Sequence, residues 1–441
     1  MLLKGLLFFN LLYTVNELHF RFLSTGIPAV APVNILFLLI LWAMKDKPEA
    51  LGPEVDGILR KPLFIWYGMI TLGLVIGELR SFDHFLEDVT YFKNALFYPL
   101  YYLLYLRCRQ DEKTTRWLII WIMVIAAVAG LEGLREGLDY GFGRFRAEKR
   151  ASGPFGADWR EANRAGVFYA MFMPMFISLA LFLRKRLLWR LAAVGGCILL
   201  AGGIISTYSR QAYLIVVLAL ALLLIRKSVL LAALVAVMAG TLVSFLPDAA
   251  TQRVEETSQE NNKAHNDVDT STASRWEIWQ AGMGIVKDHP LGAGIHKFSR
   301  EIGNYTSQYK GYDAHNFYVL TLCENGPQCL LAFLFVIYTL FRVAAFVRNE
   351  LPRDDPEARA LGYGFTVTTL CMAVGGLYGS PTFDGAVMGP YWALCGLLER
   401  YTHLRVASAR GGVSGAQPPP APSLVERFPL AAHILPGKAR L

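Results

Sequence analysis

The chain is poor in the residues on which most metal and thiol chemistry depends: its 441 residues include six cysteines and eight histidines. Cys108, Cys197, Cys323, Cys329, Cys371 and Cys395 fall mostly inside or beside apolar stretches, and none has a neighbour at zinc-ligand spacing. They read as buried free thiols and argue against a disulfide framework. Charged residues are scarce as well, at 18% of the chain, against roughly a quarter in soluble domains. A cleavable leader is not expected, because Glu17, His19 and Arg21 follow the first apolar run where a small-residue cleavage site would lie. What fills the chain instead is apolar sequence, 54% of it.

That apolar sequence comes in blocks about one bilayer thick. A helix needs ~20 apolar residues to cross the hydrocarbon core. Clear candidates lie at 27–44, 62–79, 116–133, 165–183, 188–206, 211–225, 228–246, 327–347, 360–379 and 387–402, with weaker ones at 5–22 and 92–106. The blocks are too long and too uniformly apolar for barrel strands. Exposed backbone in lipid leaves helices as the alternative. The expected fold class is an all-α polytopic integral membrane protein of about 12 transmembrane helices, with one large external loop that contains an amphipathic helix.

The division predicted is 1–246 for the first nine spans, with a basic external loop at 134–164; 247–314 for the large loop; 315–405 for the last three spans; and 406–441 for a flexible tail rich in Gly, Ala and Pro. Charge distribution sets the orientation. With the N-terminus cytoplasmic, Lys45/Lys47/Arg60/Lys61, Arg107/Arg109/Lys113/Arg116, Arg184/Lys185/Arg186/Arg190, Arg226/Lys227 and Arg348/Arg353/Arg359 all fall inside, as does the C-terminus. The loop at 134–164 breaks the pattern, placing Arg135, Arg144, Arg146, Lys149, Arg150, Arg160 and Arg164 outside. Such arginines suit a phosphate ligand, whose oxygens match the guanidinium fork, or else a loop of local ion pairs.

Four side chains stand out by position. Arg210 follows Ser206-Thr207-Tyr208-Ser209 at a junction of two spans with almost no loop; it can meet an anionic head group or anchor the hairpin. Arg275 lies in a segment, 273–286, where Trp276, Trp279, Met283 and Val286 recur at helical spacing, as in a helix lying on a membrane. His289-Pro290-Leu291-Gly292-Ala293-Gly294 is turn chemistry and not a nucleotide loop, since no strand precedes it. His315 stands at the entrance to the next helix, with Asp313 two residues before it and Asn316 after. Imidazole can take a proton from a hydroxyl near neutral pH, although a histidine at a helix start is also a common interfacial residue.

Tyr208-Ser209-Arg210, Ser274-Arg275-Trp276, Asp288-His289-Pro290-Leu291-Gly292-Ala293-Gly294 and Ala314-His315-Asn316-Phe317-Tyr318, followed by Glu324-Asn325-Gly326, together resemble the O-antigen ligase/polymerase superfamily. Upstream, Arg150-Ala151-Ser152-Gly153-Pro154-Phe155 and Asn163 look like the segment that precedes a helix in that superfamily, with a long spacing before Asn163. The resemblance implies a glycosyltransferase of the bacterial inner membrane with both termini cytoplasmic and a periplasmic site. It would use an undecaprenyl-pyrophosphate-linked glycan as donor and lipid A-core as acceptor, with no nucleic acid and no cofactor. His315 would be the general base. Arg210, Arg275 and Arg150 would bind pyrophosphate, and Asp313, Asn316 and Tyr318 would support them. No metal is expected, the external loops being read as free of a metal-binding carboxylate cluster. A polymerase, a protein oligosaccharyltransferase and a transporter are the rival readings.

Overall fold

The computed structural model describes residues 1–17, 19–20, 23, 31–45, 56–141, 146–156, 158, 161–183, 186–242, 270–351 and 355–411. Every regular element among them is helical: α1 Leu2–Val15, α2 Pro32–Lys45, α3 Arg60–Arg80, α4 Phe85–Phe97, α5 Leu100–Leu106, α6 Glu112–Tyr140, α7 Ala162–Phe182, α8 Leu187–Thr207, α9 Arg210–Lys227, α10 Val229–Leu242, α11 Thr270–Asp288, α12 Phe298–Glu301, α13 Phe317–Glu350, α14 Pro356–Gly375 and α15 Gly385–Gly411. Of the expected 247–314 loop, 247–269 lies outside the described residues, as do Arg144, Arg160, Arg184, Lys185 and the tail beyond 411.

Among the described residues, α3, α6, α7, α8 and α13 are long and apolar enough to cross a membrane. Several of the other expected spans fall short of that length or apolarity for identifiable reasons, and 243–246 of the span expected at 228–246 lies outside the described residues. The 14 residues of α1 and of α2 rise only about 21 Å. α9 begins on Arg210 and ends on Arg226-Lys227, and α14 carries Glu357 and Arg359 in its first turns. The expected span at 92–106 is two helices, α4 and α5, meeting at Tyr98-Pro99, because proline has no N–H to continue the ladder. Helix α6 continues to Tyr140, into the region expected to be loop. α15 continues to Gly411, past the expected start of the tail.

α7 is the central helix: 83% of its apolar window is buried, against 28% for α8. It packs on α14, α8 and α9, while α6 packs on α8, α13 on α3 and α15 on α5. Glycine lets α6 and α8 approach closely. A Cβ on Gly130 would meet the Leu199 carbonyl at 3.1 Å, and one on Gly203 would meet the Gly130 carbonyl at 3.0 Å. Small residues are how helices in lipid gain contact without a hydrophobic driving force between them.

The turn after α11 is fastened to a break in α13. Gly326 is non-helical there (φ 76°) and Pro327 follows, so the Cys323 and Glu324 carbonyls lose regular partners. They accept hydrogen bonds from Ala293 N (2.9 Å) and Gly294 N (2.7 Å). Gly292 and Gly294 have φ of 102° and 116°, and a Cβ on Gly294 would lie 2.4 Å from Gly77 Cα. The glycines of this segment are therefore needed for backbone shape and close approach, as the turn reading expected.

A buried charge cluster holds the same turn to α3 and α4. Asp88 is fully buried and lies 2.8 Å from Arg300 Nη2, 3.1 Å from His296 Nδ1 and 3.5 Å from Lys297 Nζ. Burial pushes the Asp88 carboxyl up, but hydrogen bonds from Arg300 and His296 outweigh it and hold the pKa below its usual value. His296 also stacks on Tyr91, with ring centroids 4.7 Å apart. Asp88→Ala would leave Lys297, itself 4% exposed, without its closest carboxylate. A destabilisation of about 3–5 kcal/mol is expected, read as a lower midpoint in a thermal melt of the detergent-solubilised protein.

Candidate active site

Short connections put the starts of α7, α9, α13 and α15 and the end of α14 at one end of the bundle, and their polar residues meet in a cleft of about 250 Å³. Its walls include Arg275, Asp313, His315, Asn163, Arg164 and Gln211, with Tyr378, Ser380 and Asp384 from the α14–α15 connection.

His315 is held there by its backbone. Its φ is 47°, the left-handed region, which few non-glycine residues occupy and which concentrates at functional positions. The residues on either side are pinned. The Ala314 carbonyl accepts from Trp279 Nε1 (2.8 Å), and Phe317 N donates to the Gly376 and Gly379 carbonyls (2.8 and 3.1 Å). The Phe317 ring lies between Phe333 and Phe383, at centroid distances of 4.8 and 5.0 Å. Between them, Asn316 Oδ1 accepts from Tyr318 N (2.9 Å) and Val319 N (3.2 Å), capping α13. Asn316 is thus a helix cap. Tyr318 donates its hydroxyl to the Ala373 carbonyl (2.7 Å) and ties α13 to α14.

Asp313 faces the histidine. Its Oδ2 accepts from His315 N (3.2 Å) and Ser380 Oγ (3.2 Å) and stands 3.7 Å from His315 Nδ1. Partial burial lowers the His315 pKa below 6.5; Asp313 raises it in part, and the charge of Arg275 lowers it further. The ring is nonetheless 49% exposed, so a neutral imidazole is presented to the cleft.

The three arginines expected around it are placed differently. Arg275 lines the cleft. Arg150 is buried one layer back: its Nε donates to the Thr207 carbonyl (2.9 Å) at the end of α8, and its Nη2 donates to Asn163 Oδ1 (2.6 Å). Asn163, not Arg150, reaches the wall. Arg210 opens α9 beside the left-handed Tyr208 (φ 49°); its neighbour Gln211 lines the cleft and donates to the Gly375 carbonyl (2.7 Å).

Sequence reasoning did not single out Arg164, Gln211, Tyr378, Ser380 or Asp384. Arg164 pairs with Asp384 and also donates to the Phe155 carbonyl (2.9 Å). Asp384 Oδ1 in turn caps α15 through Ala386 N (3.0 Å). The available signal was that 380–386 is the polar connection between two apolar spans, on the same side as His315. The expected stripe on α11 is also split. Ile278 and Ile285 are its buried apolar positions and Trp279 packs beside them, while Trp276 is 60% exposed. The reading of the large loop as free of carboxylate pairs overlooked Asp267-Val268-Asp269, which lies outside the described residues. Among the described residues, no group of three or more His, Cys, Asp or Glu is disposed to hold a metal ion.

No curated protein matches the chain. A family model described as O-antigen ligase matches residues 195–334, a stretch that runs from α8 into α13 and contains Arg210, Arg275, Asp313 and His315. Over those residues the chain is similar to the O-antigen ligase family.

Proposed function

We propose that the protein is an O-antigen ligase that moves a glycan from undecaprenyl pyrophosphate onto a hydroxyl of lipid A-core, at the periplasmic face of the inner membrane. The observation that carries this reading is the meeting of His315, Asp313 and Arg275 in one cleft within the stretch that matches the ligase family. His315 takes the proton from the acceptor hydroxyl, and the oxygen attacks the anomeric carbon directly and inverts it. The bond to the pyrophosphate oxygen breaks as the new glycosidic bond forms. Arg275 offsets the charge gathering on the leaving group, a role worth more in a recessed site than in water. Arg210 adds to that field from the start of α9. Arg150 acts through Asn163, whose amide it holds in the wall. Asp313 orients His315 and favours its protonated form.

The pH profile tests these roles separately. Transfer needs neutral His315, so its acid limb should lie below pH 6.5, since burial lowers that pKa. Asp313 raises the pKa, so Asp313→Asn should move the limb to lower pH. Arg275 lowers it, so Arg275→Gln should move the limb to higher pH. Shifts of the same sign in both variants would sink the base assignment.

The reaction itself is tested with purified protein, undecaprenyl-pyrophosphate glycan and lipid A-core, with EDTA present. Glycan ladders on the core mean a metal-independent ligase. Lengthening of the donor glycan alone means a polymerase and overturns the acceptor. Loss of transfer on adding EDTA overturns the metal-free mechanism and turns attention to Asp267 and Asp269.

A further inference from the structure

A second cavity, of about 170 Å³, lies at the other end of the bundle and is lined by residues of α6, α7, α8 and α14. Leu179 of α7 is on its wall, whereas Asn163 of the same helix is on the wall of the polar cleft. Sixteen residues of helix put about 24 Å between them. The crevice is therefore separate from the proposed active site, and its role is independent of the function proposed there.

Its walls are apolar over a defined length. Ile119, Ile120, Met123, Val124 and Ala127 of α6 face Phe176 and Leu179 of α7 and Ala192 and Ala193 of α8. From Arg116 to Ala127 the helix rises about 17 Å, close to half of the ~30 Å hydrocarbon core. The depth is that of one leaflet. The mouth is polar and positively charged. Arg116 Nη2 and Arg186 Nη1 both donate to Glu357 Oε2, at 3.0 and 2.8 Å, so two guanidinium groups share one carboxylate. Arg186 is 52% exposed, and Arg190 lies one turn further along α8, where its Nε donates to the Ala180 carbonyl (3.1 Å). The Arg116 guanidinium lies over the Trp189 ring, 5.6 Å from its centroid. Tryptophan and arginine together are the side chains of a membrane–water boundary.

We infer that this crevice is a binding site for one anionic glycerophospholipid. An acyl chain lies along α6 between α7 and α8, and the phosphate is held at the Arg116–Arg186–Arg190 mouth. Three arginines against one carboxylate leave an excess of positive charge for the head group, and the one-leaflet depth fits a chain that hangs from it. A zwitterionic lipid would fit the walls equally well but bring no net charge to the mouth.

The test is native mass spectrometry of the full-length protein released from detergent, with dioleoyl phosphatidylglycerol or dioleoyl phosphatidylcholine added. One phosphatidylglycerol should remain bound at a collision energy that strips phosphatidylcholine. Ala192→Trp, which fills the crevice from an exposed position of α8, should cut the retained fraction at least five-fold. Should that variant fail to run as a monodisperse species, Val124→Trp fills the crevice from α6. The pair Arg186→Ala and Arg190→Ala should erase the preference for phosphatidylglycerol and leave lipid retention as such. The proposal is overturned if the wild type holds no lipid or holds both lipids equally. Retention unchanged by both tryptophan variants would overturn it too, as would displacement of phosphatidylglycerol by undecaprenyl phosphate.

Discussion

His315→Ala should lower glycan transfer by ~10²–10⁴-fold, the range that a positioned general base contributes, with protein level and helical content unchanged. The fold should survive because the side chain is 49% exposed and the groups that build its surroundings are others: the Asn316 cap, the Trp279 bond to Ala314 and the Phe317 ring. Alanine is also less easily accommodated than histidine at φ 47°. A His315→Gly variant relieves that backbone cost and separates strain from chemistry. Both variants should be equally inactive in the purified ladder assay. If glycine restores transfer, the ring is not the base and the loop shape was the cause. Near-normal transfer by the alanine variant would end the assignment outright.

Arg275→Ala should lower kcat by about 10²–10³-fold, as removal of one donor to a developing negative charge does, and should weaken donor binding as well. It is the expected arginine that lines the cleft with His315. Arg275→Lys keeps the charge but loses the planar fork, so it should recover only part of the loss. Titrating lipid-linked donor against initial rate separates the two effects. A rise in KM at unchanged kcat would mean that Arg275 only holds the donor and does not act on the leaving group. No change in either would remove it from the site.

These expectations differ in how much of their basis could be seen in the residues alone. Apolar blocks and their lengths made the helical membrane class legible, since backbone in lipid has few alternatives. They located α3, α7 and α8 to within a few residues of 62–79, 165–183 and 188–206. Ends were harder to read. α6 extends to Tyr140 because a helix can continue past the hydrocarbon edge, where hydropathy no longer marks it. The apolar blocks passed over the breaks at Pro99 and Pro327, taking 92–106 as one span and starting another at 327. That the second break is mended by Ala293 and Gly294 is a pairing across about thirty residues of sequence, which no local pattern contains.

For the candidate site the division is similar. Sequence alone determined which chemical groups lie at the ends of the apolar spans, and the family resemblance carried by the surrounding motifs picked out His315, Asp313 and Arg275. Only the tertiary structure decided which of those groups share a cleft. It turned Asn316 into a cap and Tyr318 into a tie to α14, and it set Arg150 behind Asn163. It also brought in Arg164, Ser380 and Asp384. The reason is geometric: hydropathy fixes where each helix runs through the bilayer but leaves its neighbours and its rotation about its own axis free. Those are set by side-chain packing and by the satisfaction of buried polar groups at the helix ends.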